Sequence, residues 1–289
     1  MQPTKGNVTL SRIESVDVVR FAAIAGVIAI HTHHYGNPAD AGIAAIVVDQ
    51  IARFAVPFFF AISGYFWGLK IRNADSPLPA SISMAKRILF LFIAWSAIYL
   101  FPLKHVPDIA NPILMVKSAY WNTVKLAADP VTLIMEGTKV HLWFLVGLLC
   151  SIAICSILVK YNRIKTLVAL SILLYAVGLL AKAYSLTPLG IHTAFNTRDG
   201  PFFGTYFTGM GAAIVALSNH PFLRLGIFSG LGRLTLGIYA AHFAFVDILR
   251  HSFKTGSLSW GGYFFAVLFL SVSTALILSR HRLTRKLAA

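Results

Sequence analysis

The sequence predicts an all-α, polytopic transmembrane helical bundle of about 8 spans (8–10) with both termini in the cytoplasm. Three observations lead there. Of 289 residues, 57 % are hydrophobic and only 12 % charged, and the mean hydropathy is +0.73. A soluble domain carries about a quarter charged residues and has too little interior to hide this much apolar surface. The apolar residues also fall in separated runs near the ~20 residues that cross a bilayer, and the basic residues divide unequally between alternate loops. Disorder, collagen and coiled coil are excluded by the same numbers. A formal charge of +15 would suggest nucleic acid in a soluble chain. Here Lys and Arg gather beside spans, so membrane lipids are expected as partners and nucleic acid is not.

The runs predict helices near 16–35, 41–69, 86–103, 140–159, 164–184, 201–219, 233–250 and 261–280. They leave one integral-membrane domain over 1–289 and one long outer loop, 104–139. Within that loop, residues 111–127 can form an interfacial helix with Tyr120 and Trp121 at headgroup level. Of the 25 Lys and Arg, fifteen lie in one set of alternate loops and eight in the other, while Arg20 and Arg53 fall within spans. The basic set contains both termini, which the positive-inside rule assigns to the cytoplasm. No cleavable signal peptide is apparent, because the first run opens with Asp17 and Arg20 and ends in His-Thr-His-His. Cys150 and Cys155 share one apolar run, and their spacing fits neither a disulfide framework nor a metal knuckle.

Ionisable residues inside hydrocarbon cost about 3 kcal/mol each on insertion scales, so each marks a candidate site. Arg20 and His31 are eleven residues apart, which is three helical turns plus about 20° and about 16 Å of rise. Both therefore lie on one face, a cation near one boundary and an imidazole in the other half. Asp17 stands three residues before Arg20 and can pair with it. Asp49 and Arg53 repeat the arrangement at four residues, as a pair that makes a buried charge tolerable. Pro57 is expected to break the backbone pattern ahead of Phe58-Phe59-Phe60-Ala61-Ile62-Ser63-Gly64-Tyr65, leaving free carbonyls that need protein or a cavity around them. Gly64 and Gly68 form a small-xxx-small pair that also suits plain helix packing.

His31, His33 and His34 have no Cys or carboxylate cluster beside them, so no metal site is expected; His33 and His34 suit the outer headgroup boundary. His141-Leu142-Trp143-Phe144 opens the fourth span, where Trp143 serves either the aromatic belt or a site. Tyr239 and His242 project together from the seventh span at three residues, as site residues or as a helix-gluing hydrogen bond. ATPase, α/β-hydrolase, zinc-protease and dinucleotide signatures are absent from the sequence.

Asp17-x-x-Arg20 followed by ten residues and His31 resembles the Arg-x10-His signature of the acyltransferase 3 family of integral-membrane O-acyltransferases. Val56-Pro57-Phe58-Phe59-Phe60-Ala61-Ile62-Ser63-Gly64-Tyr65 resembles its "FFxxSGY" segment. His141-Leu142-Trp143-Phe144 resembles its "HLWFL" helix start, and Gly237-Ile238-Tyr239-Ala240-Ala241-His242 its "giYllH" element. The four matches keep the family's order from residue 17 to 242.

The resemblance implies transfer of an acyl group, usually acetyl from acetyl-CoA, to a hydroxyl of a cell-envelope polysaccharide or lipid-linked saccharide in a bacterial inner membrane. It implies acyl-CoA and a glycan or glycolipid as partners, no permanently bound cofactor, and catalysis at His31 with Arg20 assisting. Family members usually have about ten spans against the eight counted here. Asp17, Arg53, Ser63, His141, Trp143, Tyr239 and His242 complete the candidates, as substrate-binding residues. In this chemistry the basic loops would meet the polyanionic donor, and His31 would take the hydroxyl proton or be acylated first. Tyr239, His242 or Ser63 would donate to the oxyanion. The competing class is a multi-span transporter, which also places charges and broken helices at the midplane. Against it, no second copy of the Arg/His helix is visible.

Overall fold

The computed structural model describes residues 13–32, 47–48, 51–52, 54–72, 74–101, 111–178, 230–253 and 257–288. Among them every regular element is helical: α1 (Glu14–Thr32), α2 (Ala55–Ile71), α3 (Leu78–Ile98), α4 (Pro112–Ala128), α5 (Pro130–Glu136), a 3₁₀ turn (Val140–Leu142) leading into α6 (Trp143–Lys160), α7 (Ile164–Gly178), α8 (Thr235–Ser252), α9 (Trp260–Arg280) and α10 (Arg285–Ala288). Four helical stretches are long and apolar enough to cross a membrane: Glu14–Thr32, Leu78–Ile98, Val140–Lys160 and Trp260–Arg280. Two shorter ones, Ala55–Ile71 and Ile164–Leu174, are also apolar. The expected span at 201–219, together with His33, His34, Asp49 and Arg53, lies outside the described residues.

Local chemistry starts the polar-flanked helices. Asn111 caps α4 by accepting from the Ile113 and Leu114 amides, with Pro112 at the first position, where its missing N–H is harmless. Asp129 and Pro130 do the same for α5, and Ser259 caps α9 through the Gly262 amide. Helix α4 falls on the segment expected to be interfacial and buries no residue, exposing Ile113, Val116, Tyr120 and Trp121. Helix α5, which the sequence did not suggest, ends at Gly137 with φ +66°, a conformation glycine takes without penalty.

Two expectations are corrected. The third helix starts at Leu78 behind Pro77 rather than near residue 86, which moves residues 78–85 from a loop into the helix and places Lys86 and Arg87 within it rather than at its end. Ser81 in this first turn is buried, donating to the Pro77 carbonyl at 2.8 Å and accepting from the Trp67 indole at 2.7 Å. Pro57 does not break α2. It lies in the first turn, where no intrahelical N–H is required, and the helix runs through Ser63 and Gly64 to Ile71.

Helix α1 packs against α2, α8 and α9, while α6 packs against α3, α5 and α7. Contacts of α2 with α3 and α6, and of the 3₁₀ turn with α8, join the two groups. The core between them holds Ile24, Ile28, Phe58, Ile62, Leu145 and Ile238. In a bilayer such packing gains little from leaving water, since lipid tails are equally apolar, so close approach and internal hydrogen bonds carry the association. Two glycines permit that approach. A Cβ on Gly232 would stand 2.1 Å from the Asp17 carbonyl oxygen, and one on Gly237 would stand 2.6 Å from the Ala288 Cα.

Gly232→Ala and Gly237→Ala therefore force backbone apart, and each is expected to destabilise by about 1–3 kcal/mol. Gly68→Ala, whose Cβ would meet nothing within 4 Å, should be neutral or stabilising by up to about 1 kcal/mol through helix propensity. Thermal unfolding of the purified variants checks both; equal loss in all three would refute the packing argument.

Candidate active site

A cavity of about 440 Å³ opens between α1, α2, α3, α6 and the start of α8. Its walls carry four cations, Arg20, Lys70, Arg87 and Arg233, and among its described lining residues there is no carboxylate. Arg20 is held from behind: Asp17, itself buried, accepts from its guanidinium at 3.1 Å, and the Phe66 ring lies 5.1 Å away. The cavity thus pairs one internally neutralised cation with three others, an arrangement suited to several negative charges at once. Hydroxyls of Ser63, Ser83 and Thr235 share the lining, and Phe144 and Tyr239 line it too.

Behind Tyr239 three imidazoles meet from three elements: His31 near the end of α1, His141 on the 3₁₀ turn and His242 on α8. Ring centroids are 5.3 Å apart for His31–His242 and 5.1 Å for His141–His242. Phe243 covers the group, stacking on His141 at 4.7 Å and meeting the edge of His31 at 4.9 Å. Outside Phe243, the Lys139 ammonium lies 5.7 Å from its ring and pairs with the Asp247 carboxylate, tying the 3₁₀ turn to α8. His141 and His242 are fully buried.

The hydrogen bonds fix where the ring protons sit. His242 Nδ1 faces the Tyr239 carbonyl, which only accepts, so Nδ1 carries the proton. His242 Nε2 is then a bare lone pair, buried with no partner. His141 Nε2 faces the Ala240 carbonyl at 3.4 Å, which leaves Nδ1 as a second buried, unpartnered acceptor. An unpaired buried polar atom carries a free-energy cost of about 1–3 kcal/mol, so two in one cluster make it a candidate site. Among the described residues no group of three His, Cys, Asp or Glu side chains is arranged to hold a metal ion.

The tyrosine roles differ from simple donation to a substrate. The Tyr239 hydroxyl donates to the His141 carbonyl, so it is committed to holding the 3₁₀ turn. Tyr99, which the sequence gave no reason to single out, donates to the Ala240 carbonyl at 2.5 Å and accepts from the Ala244 amide at 3.2 Å. It bridges both ends of one helical rung of α8, beside His242. A tyrosine closing an apolar helix reads as part of an interfacial belt, and nothing local betrays this partner 141 residues away.

Of the sequence candidates, Arg20, Ser63 and Tyr239 line the cavity, and His31, His141 and His242 form the group behind it. Asp17 supports Arg20. Trp143 is half-buried against Phe144 at 6.4 Å and is not among the cavity's lining residues. Lys70 and Arg87 entered the reading only as loop charges, and Arg233 only in the charge count. All three become site residues because α2, α3 and the Gly230–Leu234 turn converge.

The sequence matches the acyltransferase 3 family, described as an acyltransferase domain, over residues 13–216. The chain belongs to the acyltransferase 3 family. It is similar to two proteins of Enterococcus faecalis named amino-acid racemase, at 27 % identity over 69 % of this chain and 28 % over 75 %. It is also similar to a serine/alanine racemase of Enterococcus gallinarum, at 23 % identity over 82 %. The matched parts make up 27 %, 29 % and 34 % of those proteins, so the chain spans about a third of their length or less. No solved structure matches.

Tyr99→Phe leaves the Ala240–Ala244 rung without its bridge in a buried place. It is expected to cost about 1–3 kcal/mol of stability and to lower activity more than a variant of equal stability elsewhere. Unfolding and turnover measured on the same preparations check this.

Proposed function

We propose that this acyltransferase moves an acetyl group from cytoplasmic acetyl-CoA to a hydroxyl of a cell-envelope polysaccharide or lipid-linked saccharide in the inner membrane, with His31 as general base. The observation that carries the reading is the two-part site: a four-cation cavity separated by Tyr239 and Phe144 from a group of three histidines. Coenzyme A is a polyanion with a long uncharged arm ending in a thioester. Lys70, Arg87, Arg233 and Arg20 would take its phosphates, and the arm would run along α1 towards Tyr239. The uneven distribution of Lys and Arg puts this end, with both termini, in the cytoplasm. The relatives' racemase names belong to much longer proteins and are not carried to this chain.

In the transfer, the acceptor oxygen attacks the thioester carbonyl and its proton passes to His31. The C–O ester bond forms, the C–S bond breaks, and the proton leaves on the thiol. His242, with its bare Nε2 beside His31, offers the proton a second stop. Ser63, on the cavity wall, is the hydroxyl left to donate to the oxyanion, since Tyr239 is committed to His141. Phe243 and the Lys139–Asp247 pair shield the imidazoles, which strengthens each polar interaction among them.

The test is transfer of labelled acetyl from acetyl-CoA into membrane glycan or glycolipid, at matched membrane abundance. His31→Ala should abolish transfer while retaining acetyl-CoA binding. Arg87→Met should raise KM for acetyl-CoA about tenfold or more with kcat little changed, as expected for a lost charge-assisted contact. Tyr239→Phe, which leaves the buried His141 carbonyl without its donor, should lower turnover more than it lowers membrane abundance. Transfer unaffected by His31→Ala would overturn the base; no transfer by any form, with acceptors supplied, would favour transport.

A further inference from the structure

A second cavity, of about 120 Å³, lies between α2, α6 and α7. It shares Ser63, Trp67, Met84 and Leu148 with the cationic cavity, so the two adjoin across these side chains. Its chemistry is opposite. Beyond the shared wall it is lined by Phe60, Gly64, Ile152 and Cys155, with leucines of α7, and no described lining residue is charged. Its hydroxyls are spent on their own helices: Ser151 donates to the Gly147 carbonyl and Ser171 to the Leu167 carbonyl, each at 2.8 Å. Gly64 lies on an exposed part of α2, and a Cβ there would meet nothing within 4 Å, so a larger side chain fits at this edge of the cavity. Phe60 meets the edge of Phe144 at 4.9 Å, and Phe144 lines the cationic cavity beside Tyr239.

We propose that this second cavity receives the acyl chain of the donor, and that the protein accepts linear acyl-CoA substrates longer than acetyl. The inference rests on the acyl-CoA reading above and names the substrate class of that same site. A ligand with a polyanionic head and a hydrocarbon end matches two adjoining cavities, one lined by cations and the other by no charged described residue. A saccharide does not match the second cavity, because its hydroxyls would be buried there without partners. The second cavity's place at Ser63 and Leu148, with Phe60 against Phe144, lets a chain turn aside from a thioester lying near Tyr239 while the carbonyl stays on the histidine side.

Equilibrium binding of acetyl-CoA and hexanoyl-CoA to the purified full chain tests this without an identified acceptor. The wild type should bind hexanoyl-CoA about tenfold or more tighter than acetyl-CoA, since four additional methylenes leave water. Ser151→Leu and Gly64→Leu, which place a side chain in the second cavity from α6 and from α2, should each remove most of that preference. Equal binding of both donors by the wild type overturns the proposal, as does a preference that persists in both variants. A preference present in detergent but abolished by bilayer lipid gives the second cavity to a lipid tail and also overturns it. Binding of neither donor refutes the acyl-CoA reading itself, and the acyl-chain proposal with it.

Discussion

The burial of α8 is the constraint on which the other elements depend. It carries His242, Tyr239, Asp247 and Thr235 at buried positions, and it is not among the helices apolar enough to cross a membrane. A helix this polar is stable among apolar neighbours only if its groups find partners within the protein. Tyr99 from the end of α3 bridges the Ala240–Ala244 rung, Tyr263 of α9 donates to the Val246 carbonyl, and Lys139 pairs with Asp247. Helices α1 and α9 then cover the sides of α8 that these bonds leave. The two imidazole nitrogens that no partner reaches stand out against this near-complete satisfaction.

Charge is arranged along the bundle in the complementary sense. Arg20, Lys70, Arg87 and Arg233 come from four different segments to one cavity, and a concentration of like charge lined by low-dielectric walls raises the local concentration of an anion. Such an end repels itself when empty. The Asp17 carboxylate, three residues from Arg20, offsets part of that repulsion, while the Asp17 backbone packs against Gly232. One short segment therefore both neutralises a cation and anchors the turn that delivers Arg233. The stacked order Lys139, Phe243, His141 at the other end uses a cation against an aromatic face instead.

Much of the helical layout was legible because it rests on local chemistry. Asn111-Pro112 and Ser259 each cap an expected helix within their own few residues, whereas the equally local Asp129-Pro130 cap of α5 was not read. The first two turns of α3 lay outside the expected span because they lack a continuous apolar run, whereas Ser81 there is held by Trp67 and by Ser156 at 2.6 Å, a partner 75 residues away. Pro57 was misread for a related reason: whether a proline breaks a helix or sits in its first turn depends on where the preceding backbone stops being helical. In the site, Arg20 and His31 were legible from their spacing on one helix, which fixes a common face whatever surrounds it.

By itself the sequence determined the membrane class, most of the described long helices, the shared face of Arg20 and His31, and the acyltransferase 3 family, whose match over residues 13–216 takes in the first three of the four ordered motifs. These follow from composition and from spacing along one helix, which no distant residue alters. Only the tertiary structure decided that His141 and His242 join His31, that Tyr239 serves the His141 carbonyl, and that Lys70, Arg87 and Arg233 share a cavity with Arg20. Each of those depends on helices far apart in sequence meeting at one depth, and that meeting is set by packing around a polar helix rather than by any local pattern.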